Sequence, residues 1–295
     1  MTIIDAIFQA VIQGLTEFLP VSSSGHLSLY QHFTGNNGEG ALLFSAILHL
    51  GTLIAVFIAF RDTIWALLKE FVVLIKDIFT GNFRWSTMNG ERRMIIMLVI
   101  SLAMLFPFYI FKDFFTGISE DDDILVEGFC FVYTSIILML SDRCAGKNKK
   151  PEDITVKDAV TVGIFQGIAL LPGVSRSGST ICGGLFSGFS RDTAVKYSFI
   201  LGIPAILGGC LLSIKDAAET GFGDVNISIY LIGMAIAAVV GIMAIKMVSW
   251  LVNSNKFKIF AFYTFVLGIC VIFIGIFEKI VGMNLVEYIK NGDIL

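Results

Sequence analysis

Residues 13–25 read QGLTEFLPVSSSG, and residues 166–178 read QGIALLPGVSRSG. With two one-residue gaps, both segments share the pattern Gln-Gly, Leu-Pro, Val-Ser-x-Ser-Gly. In each copy an apolar helical run stops at Leu-Pro and passes into a Ser/Gly cluster, because proline and glycine are unfavourable inside a helix. The pattern therefore predicts two copies of one helix–turn–helix element, over residues 3–33 and 158–190.

The rest of the chain has the composition of a membrane protein. Only 15% of its residues are charged, whereas a soluble globular domain carries about 25%. A spanning helix needs about 20 mostly apolar residues, and the stretches that approach this length are residues 41–60, 94–111, 124–141, 197–214, 227–249 and 259–277. We therefore predict an all-α polytopic membrane protein with six transmembrane helices and two re-entrant helix–turn–helix elements.

Residues 63–79 form a further apolar stretch, but charged residues interrupt it, so we expect an amphipathic helix at the membrane interface. The net charge of −3 gives no support for a nucleic-acid partner. The five cysteines are scattered without metal-ligand spacing, and we expect them to be packing residues.

The distribution of lysine and arginine predicts the topology. The loops 61–93 and 142–157 carry clusters of these residues, whereas the loops 112–123 and 215–226 carry only Lys112 and Lys215. By the positive-inside rule the basic loops face the cytoplasm, so both termini face outward. Each copy of the element precedes three spans. Because three is an odd number of membrane crossings, the second half begins on the opposite side of the membrane and has the inverted topology. We therefore predict two inverted repeats, residues 1–145 and 146–295, in a single membrane domain whose re-entrant tips meet near the midplane.

The two tips carry different ionisable residues, which are expensive inside a membrane and are functional candidates for that reason. The first tip holds Glu17 and His26, and the second holds Arg176. A Ser/Gly turn ahead of a helix that we expect to begin near Thr180, together with a guanidinium group, predicts an anion site. The serines of the first tip lie beside a carboxylate and an imidazole, and a hydroxyl nucleophile needs such a base.

Structural interpretations of these residues stay open. Glu17 and Arg176 could form an ion pair that closes two half-helices, and His26 could be a packing residue. His49 lies within a predicted span, where we expect a helix–helix hydrogen bond. The other polar tip residues are candidates for substrate binding or, in the case of the serines, for helix caps, and they are Gln13, Ser22, Ser24, Gly25, Ser175, Ser177, Gly178 and Ser179.

The two segments resemble the paired signatures of the bacterial undecaprenyl-pyrophosphate phosphatases of the bacitracin-resistance type. Residues 13–26 resemble the first signature and residues 172–178 the second. The resemblance extends over nearly the whole chain. It implies hydrolysis of undecaprenyl pyrophosphate to undecaprenyl phosphate and inorganic phosphate, which recycles the lipid carrier of cell-wall synthesis. It also implies a multi-pass protein of the bacterial inner membrane, and with the predicted topology the active site would open toward the outside.

The resemblance also assigns residues. It implies that the Glu/Gln-xxx-Glu motif of the family falls on Gln13 and Glu17, the functional serine on Ser23 and the histidine on His26. The family's arginine falls on Arg176. A divalent ion, Mg²⁺ or Ca²⁺, is implied as well, with Glu17 as its ligand. Because residue 13 is glutamine here, a scheme that needs two acidic metal ligands in this tip lacks one of them.

Three reaction routes and one rival function stay open. Ser23 could attack the terminal phosphorus, with Glu17 or His26 as base. Alternatively, Glu17 could activate a water molecule, or His26 could form a phosphohistidine. In the Ser23 route, Arg176, the amides of the Ser/Gly turn and a metal ion would stabilise the charge on the phosphoryl oxygens. The rival function is a lipid-phosphate flippase or anion transporter without hydrolysis, because broken helices and inverted repeats are also transporter features. Besides the isoprenoid pyrophosphate and membrane lipids, a second copy of the chain remains open as a partner.

Overall fold

The computed structural model describes residues 2–35, 41–111, 117, 123–144, 148–220, 226–254 and 256–290. The helices of the first part of the chain are α1 (Ile3–Thr16), α2 (Ser23–Thr34), α3 (Ala41–Ala59), α4 (Arg61–Phe79), α5 (Gly90–Ala103), α6 (Leu105–Tyr109) and α7 (Leu125–Arg143). Those of the second part are α8 (Val156–Ile168), α9 (Arg176–Phe186), α10 (Arg191–Thr220), α11 (Ile227–Asn253), α12 (Lys258–Val281) and α13 (Leu285–Lys290).

The long helices lie on the predicted spans. By length and hydropathy, 5 helical segments of the described chain could cross a membrane, namely Gly90–Tyr109, Leu125–Arg143, Arg191–Glu219, Ile227–Asn253 and Lys258–Val281. The pair formed by α3 and α4 is bent by 85° and would make a sixth span if its two helices cross together. The predicted polytopic all-helical membrane protein is thus confirmed, and the count of six depends on this bent pair.

Two of the predicted apolar segments are interrupted, one between α5 and α6 and the other between α3 and α4. Pro107 lies in α6, where its ring crowds the carbonyl group of Ala103, so α5 ends there. α4 covers the stretch for which an amphipathic helix is predicted. It turns away from α3 and exposes Trp65, Phe71 and Phe79, while its location at a membrane interface stays a prediction.

The two predicted helix–turn–helix elements are helical hairpins with matching caps. The side chain of Thr2 caps α1 in a capping box with Asp5, and Thr155 caps α8 in the same way with Asp158. The second hairpin departs from its predicted bounds at one point, because α9 begins at Arg176 rather than near Thr180. Its cap residue accepts a backbone hydrogen bond, and helical geometry therefore starts earlier in the Ser/Gly cluster.

The tips of the two hairpins meet. The hydroxyl of Ser177 donates to the carbonyl oxygen of Leu19 at 3.2 Å, and a Cβ added at Gly178 would lie 3.2 Å from Cβ of Pro20. At the open end of the second hairpin, Arg93 of α5 donates to the carbonyl oxygen of Ile154 at 2.8 Å, so the two basic segments adjoin each other.

Helices of the first predicted half pack against helices of the second. α1 and α3 lie against α11, α5 lies against α8, and α7 lies against α12. Small residues permit the close approach, because a Cβ at Gly14 would lie 2.8 Å from Cβ of Val240 and one at Gly128 would lie 2.7 Å from Cγ1 of Ile272. This packing agrees with a single membrane domain, while the division into repeats at residue 146 stays a prediction.

Candidate active site

Glu17 is the residue around which the polar site is assembled. It follows the last residue of α1, and only 6% of it is exposed. Its Oε2 accepts hydrogen bonds from the hydroxyl of Ser23 at 2.7 Å and from Nε2 of Gln13 at 2.9 Å. Its other oxygen, Oε1, forms an ion pair with the guanidinium group of Arg176. The structure therefore brings together four residues that the sequence nominated separately.

Arg176 and Ser23 reach Glu17 from equivalent positions of the two hairpins. Each is the first residue of the helix that follows its turn, α9 for Arg176 and α2 for Ser23. The guanidinium group occupies space left by Gly202 of α10, where a Cβ atom would collide with it. Gly202 lies in an ordinary apolar span, and no motif in the sequence indicates this contribution.

The turns before α2 and α9 are capped by the same device. The hydroxyl oxygen of Ser22 accepts the N–H of Gly25 at 3.3 Å, and that of Ser175 accepts the N–H of Gly178 at 3.0 Å. The remaining N–H groups of each first turn have no partner within their own helix. Two helix N-termini, each with its partial positive charge, thus adjoin one site, and such termini bind anions.

A cavity of about 280 Å³ lies against both tips. Its volume suits a phosphate-containing head group. Both hairpin turns, α3 and α10 contribute to its wall. The polar lining residues are Thr16, Glu17, Ser22, Ser23, Ser24, Ser45, His49, Ser175, Arg176, Ser177 and Ser213.

His49 belongs to this cavity. Its Nδ1 donates to the carbonyl oxygen of Ser45 on the same helix at 2.8 Å, so the expected helix–helix hydrogen bond is not the one that forms. Its Nε2 instead lies 3.6 Å from Oε2 of Glu17, and 28% of the side chain is exposed. The signal that could have nominated it was the rarity of an ionisable residue within a predicted span.

His26 does not line the cavity. Its Nδ1 lies 2.6 Å from the carbonyl oxygen of Ser22, and its Nε2 lies 2.7 Å from the hydroxyl of Tyr263 on α12. Its ring is also stacked on that of Tyr263, with centroids 5.8 Å apart. The structure therefore does not bring His26 together with the other nominated catalytic residues.

The nominated substrate-binding residues divide into two groups. Ser22, Ser24, Ser175 and Ser177 line the cavity, and their contact with a substrate stays a prediction. The others lie behind it, where they support the tips. Those residues are Gln13, which donates to Glu17, Gly25 and Gly178, whose amides are used by the caps, and Ser179, which is 0% exposed.

The residues at the cavity do not form a metal site made of protein ligands alone. Within the described ranges, His, Cys, Asp and Glu residues form no group of three that could hold an ion. Glu17 supplies one carboxylate, and both of its oxygens already accept protein donors. The expected Glu17 ligand would therefore need further ligands from outside the protein.

The fold and the site together define a class of protein. It is a helical membrane protein in which the tips of two helical hairpins adjoin a polar pocket that contains a carboxylate, a hydroxyl and a guanidinium group. A fixed cation and two helix N-termini suit a phosphate, and the Ser23–Glu17 contact suits proton transfer from a nucleophile.

Comparison with known proteins agrees with this class. Residues 6–270 match the family model described as bacitracin resistance protein BacA, and the chain belongs to this family. An undecaprenyl-diphosphatase of Alkaliphilus metalliredigens is 38% identical over 276 residues, which cover 92% of this chain and 98% of the relative. One from Halothermothrix orenii is 38% identical over 280 residues, covering 94% and 100%. Undecaprenyl-diphosphatase 4 of Bacillus thuringiensis is 35% identical over 272 residues, covering 92% and 97%.

Proposed function

We propose that this protein hydrolyses undecaprenyl pyrophosphate to undecaprenyl phosphate and inorganic phosphate, and so recycles the lipid carrier of cell-wall synthesis. Membership of the BacA family and the names of its relatives support this activity. The observation that carries the proposal is the convergence of Ser23 and Arg176 on Glu17, at the wall of a cavity between two helix N-termini.

In the proposed reaction, the hydroxyl of Ser23 attacks the terminal phosphorus while its proton passes to Glu17. The bond from Ser23 Oγ to phosphorus forms as the anhydride bond breaks, and undecaprenyl phosphate leaves. Arg176 and the free N–H groups of α2 and α9 stabilise the charge on the phosphoryl oxygens, since phosphoryl transfer depends mainly on positioning and electrostatics. Water then hydrolyses the phosphoserine, which releases inorganic phosphate and restores Ser23.

The two other routes differ in their structural support. Direct attack by water stays open, because Glu17 lines the cavity and could accept a proton from water. A phosphohistidine has less support, because both ring nitrogens of His26 lie within hydrogen-bond distance of other groups and neither faces the cavity.

The divalent ion is proposed as a companion of the substrate. Magnesium commonly binds through one or two carboxylates together with substrate phosphates. Glu17 could supply that carboxylate, and the pyrophosphate would supply the oxygen ligands that the protein lacks. Such an ion, Mg²⁺ or Ca²⁺, would offset the negative charge that a single arginine leaves uncompensated.

Phosphate release from an isoprenoid diphosphate by the purified protein in detergent tests both proposals. We expect steady release of inorganic phosphate, its loss in excess EDTA, and recovery when Mg²⁺ or Ca²⁺ is returned. A mock preparation from cells that do not express the protein controls for contaminating phosphatases. Absence of release with added metal would refute the phosphatase, whereas full release after verified metal removal would refute only the metal requirement.

The rival function, transport without hydrolysis, has less support. A flippase or anion transporter needs broken helices and a polar cavity, both of which are present. It does not need a serine hydroxyl within 2.7 Å of a buried carboxylate oxygen, which is the arrangement at Ser23 and Glu17. If lipid phosphate crossed a vesicle membrane without any release of inorganic phosphate, the transporter would be the better description.

Replacement of Arg176 by lysine should lower phosphate release by about 10²-fold or more. Lysine keeps the charge but cannot present two parallel N–H donors to phosphate oxygens. Arg191→Lys is the matched control. Arg191 does not line the cavity, it forms an ion pair with Asp142 at 3.2 Å, and its side chain is about as buried as that of Arg176. If Arg176→Lys released phosphate as fast as Arg191→Lys, Arg176 would have a structural role only.

We propose a topology with both termini and the cavity opening outside, and the segments around Arg84 and Lys149 in the cytoplasm. The basic loops support this orientation. Single cysteines introduced by Thr2→Cys, Leu295→Cys and Asn148→Cys, in a chain without native cysteines, can be labelled in intact cells by an impermeant reagent. We expect labelling at positions 2 and 295 only. Labelling at position 148 alone would show that the orientation is the reverse of the proposed one.

The homo-oligomer stays a prediction without a proposed interface.

A further inference from the structure

The turn at the first tip has an unusual backbone. Ser22 has φ = 73°, and among the described residues it is the only residue other than glycine with a positive φ. A side chain with a Cβ atom rarely adopts this conformation, and such strain persists only where the surroundings hold it. The first helical residue after this turn is Ser23, so the conformation of Ser22 directs Ser23 toward Glu17.

The second tip makes the corresponding turn without this strain. There the positive φ, 86°, belongs to Gly173, while Ser175, the counterpart of Ser22, has φ = −71°. Glycine adopts positive φ without steric penalty. The first tip has no glycine before its Val-Ser step, and so Ser22 takes the positive φ instead.

The two tips also differ in what holds the turn. In the first, the carbonyl oxygen of Ser22 is contacted by the ring of His26, at 2.6 Å from Nδ1. In the second, the residue at the position of His26 is Ser179, whose buried hydroxyl oxygen has no hydrogen-bond partner among the described residues. Both carbonyl oxygens accept a backbone N–H, from His26 in the first tip and from Ser179 in the second, but in the described part of the chain only the strained turn has a side-chain contact as well.

The ring of His26 is itself fixed by its neighbours. A carbonyl oxygen can only accept, so Nδ1 carries the proton, and Nε2 of the neutral ring accepts from the Tyr263 hydroxyl at 2.7 Å. The ring also stacks on Tyr263 and meets the edge of Phe131, with centroids 5.8 and 5.4 Å apart. The carbonyl oxygen of Ser22 thus fixes the tautomer of His26, and Tyr263 fixes the orientation of its ring.

We propose that Tyr263 is a positioning residue, which acts through His26 to hold the strained Ser22 turn and thereby aims Ser23 at Glu17. This inference rests on the proposed phosphoryl transfer to Ser23. It assigns His26 to orientation of the turn rather than to proton transfer. It also explains why the side chains of His26 and Tyr263 lie behind the cavity rather than in its wall.

The test is a double-mutant cycle on the full-length protein with an isoprenoid diphosphate. Tyr263→Phe keeps the stacked ring and removes one hydrogen bond, so kcat should fall about tenfold with little change in KM. Ser22→Gly relieves the strain, and glycine is a tolerable N-cap. In that background Tyr263→Phe should cost less than about threefold. Tyr133→Phe, on the adjacent helix α7, controls for loss of a phenol hydroxyl and should leave kcat unchanged.

Equal losses from Tyr263→Phe in both backgrounds, or no loss in the parent, would overturn the inference while the phosphatase itself stands. A parent protein without activity would instead refute the proposed function. A second measurement is independent of turnover, since ring-nitrogen NMR of ¹⁵N-histidine protein reports the tautomer of His26. We expect a protonated Nδ1, and a shift of the Nε2 signal in Tyr263→Phe. A protonated Nε2 with a bare Nδ1 would overturn the inference whatever the activity.

Discussion

Glu17→Gln is expected to reduce phosphate release by about 10²–10⁴-fold, the usual contribution of a general base. Glutamine keeps the shape of the side chain but cannot take the proton of Ser23 or of an attacking water molecule. It also leaves Arg176 without its counter-charge. Because both proposed routes pass a proton to Glu17, this substitution should disable either of them. The measurement is the initial rate of phosphate release per folded molecule.

A matched substitution separates catalysis from stability. Loss of one partner of a buried ion pair commonly costs about 3–5 kcal/mol, so the Glu17→Gln protein should also unfold more easily. Asp142→Asn breaks the ion pair between Asp142 and Arg191. The side chain of Arg191 is 14% exposed and that of Asp142 is 9% exposed. This substitution should lower thermal stability to a comparable extent and leave the turnover of folded protein intact. Full activity in Glu17→Gln would contradict both routes.

Ser23→Ala should fall to the background rate, a loss of about 10⁴-fold or more, if Ser23 is the nucleophile. The substitution removes one oxygen atom from a polar turn and should not disturb the fold. The caps of α2 and α9 use Ser22 and Ser175 and would remain in place. Phosphorylated Ser23, trapped by rapid acid quench and located by mass spectrometry, would identify the covalent intermediate directly.

The neighbouring serines provide the comparison. Ser22→Ala removes the cap of α2, and Ser24→Ala removes a hydroxyl that lies 3.3 Å from that of Ser22. A cap contributes about 0.5–2 kcal/mol, so each should lose roughly tenfold. The water route predicts another order, in which Glu17→Gln is inactive and Ser23→Ala is only impaired. Substantial turnover in Ser23→Ala would therefore eliminate the covalent route and leave the site itself in place.

Much of the fold could be predicted because membrane-spanning helices correspond to long apolar stretches of the sequence. The repeated Gln-Gly…Leu-Pro…Ser-Gly pattern likewise predicted two hairpins, because proline and glycine act locally. The sequence could not fix the α3–α4 bend, since hydropathy does not distinguish a broken span from an interfacial helix. The predicted start of α9 near Thr180 was wrong, because the Ser175 cap allows the Ser/Gly cluster to be helical from Arg176.

The candidate site could be predicted in part. Glu17, Ser23 and Arg176 lie within short motifs, and the structure brings them into contact. His49 comes from another helix, and its approach to Glu17 depends on packing that no local pattern encodes. The orientation of His26 depends on Tyr263, which is more than 200 residues away in the chain. Tertiary contacts of this kind decide which of several polar residues face the cavity.

The meeting of Ser23 and Arg176 at one carboxylate has an evolutionary consequence. The two residues stand at the same position of the two copies of the motif, as the first residues of α2 and α9. An ancestor assembled from two identical half-length chains would have carried the same residue at both positions, either two serines or two arginines. In a single chain, each position can mutate independently. A hydroxyl and a cation can therefore approach the same carboxylate, which a symmetric dimer of identical halves, with the same residue at both positions, does not allow.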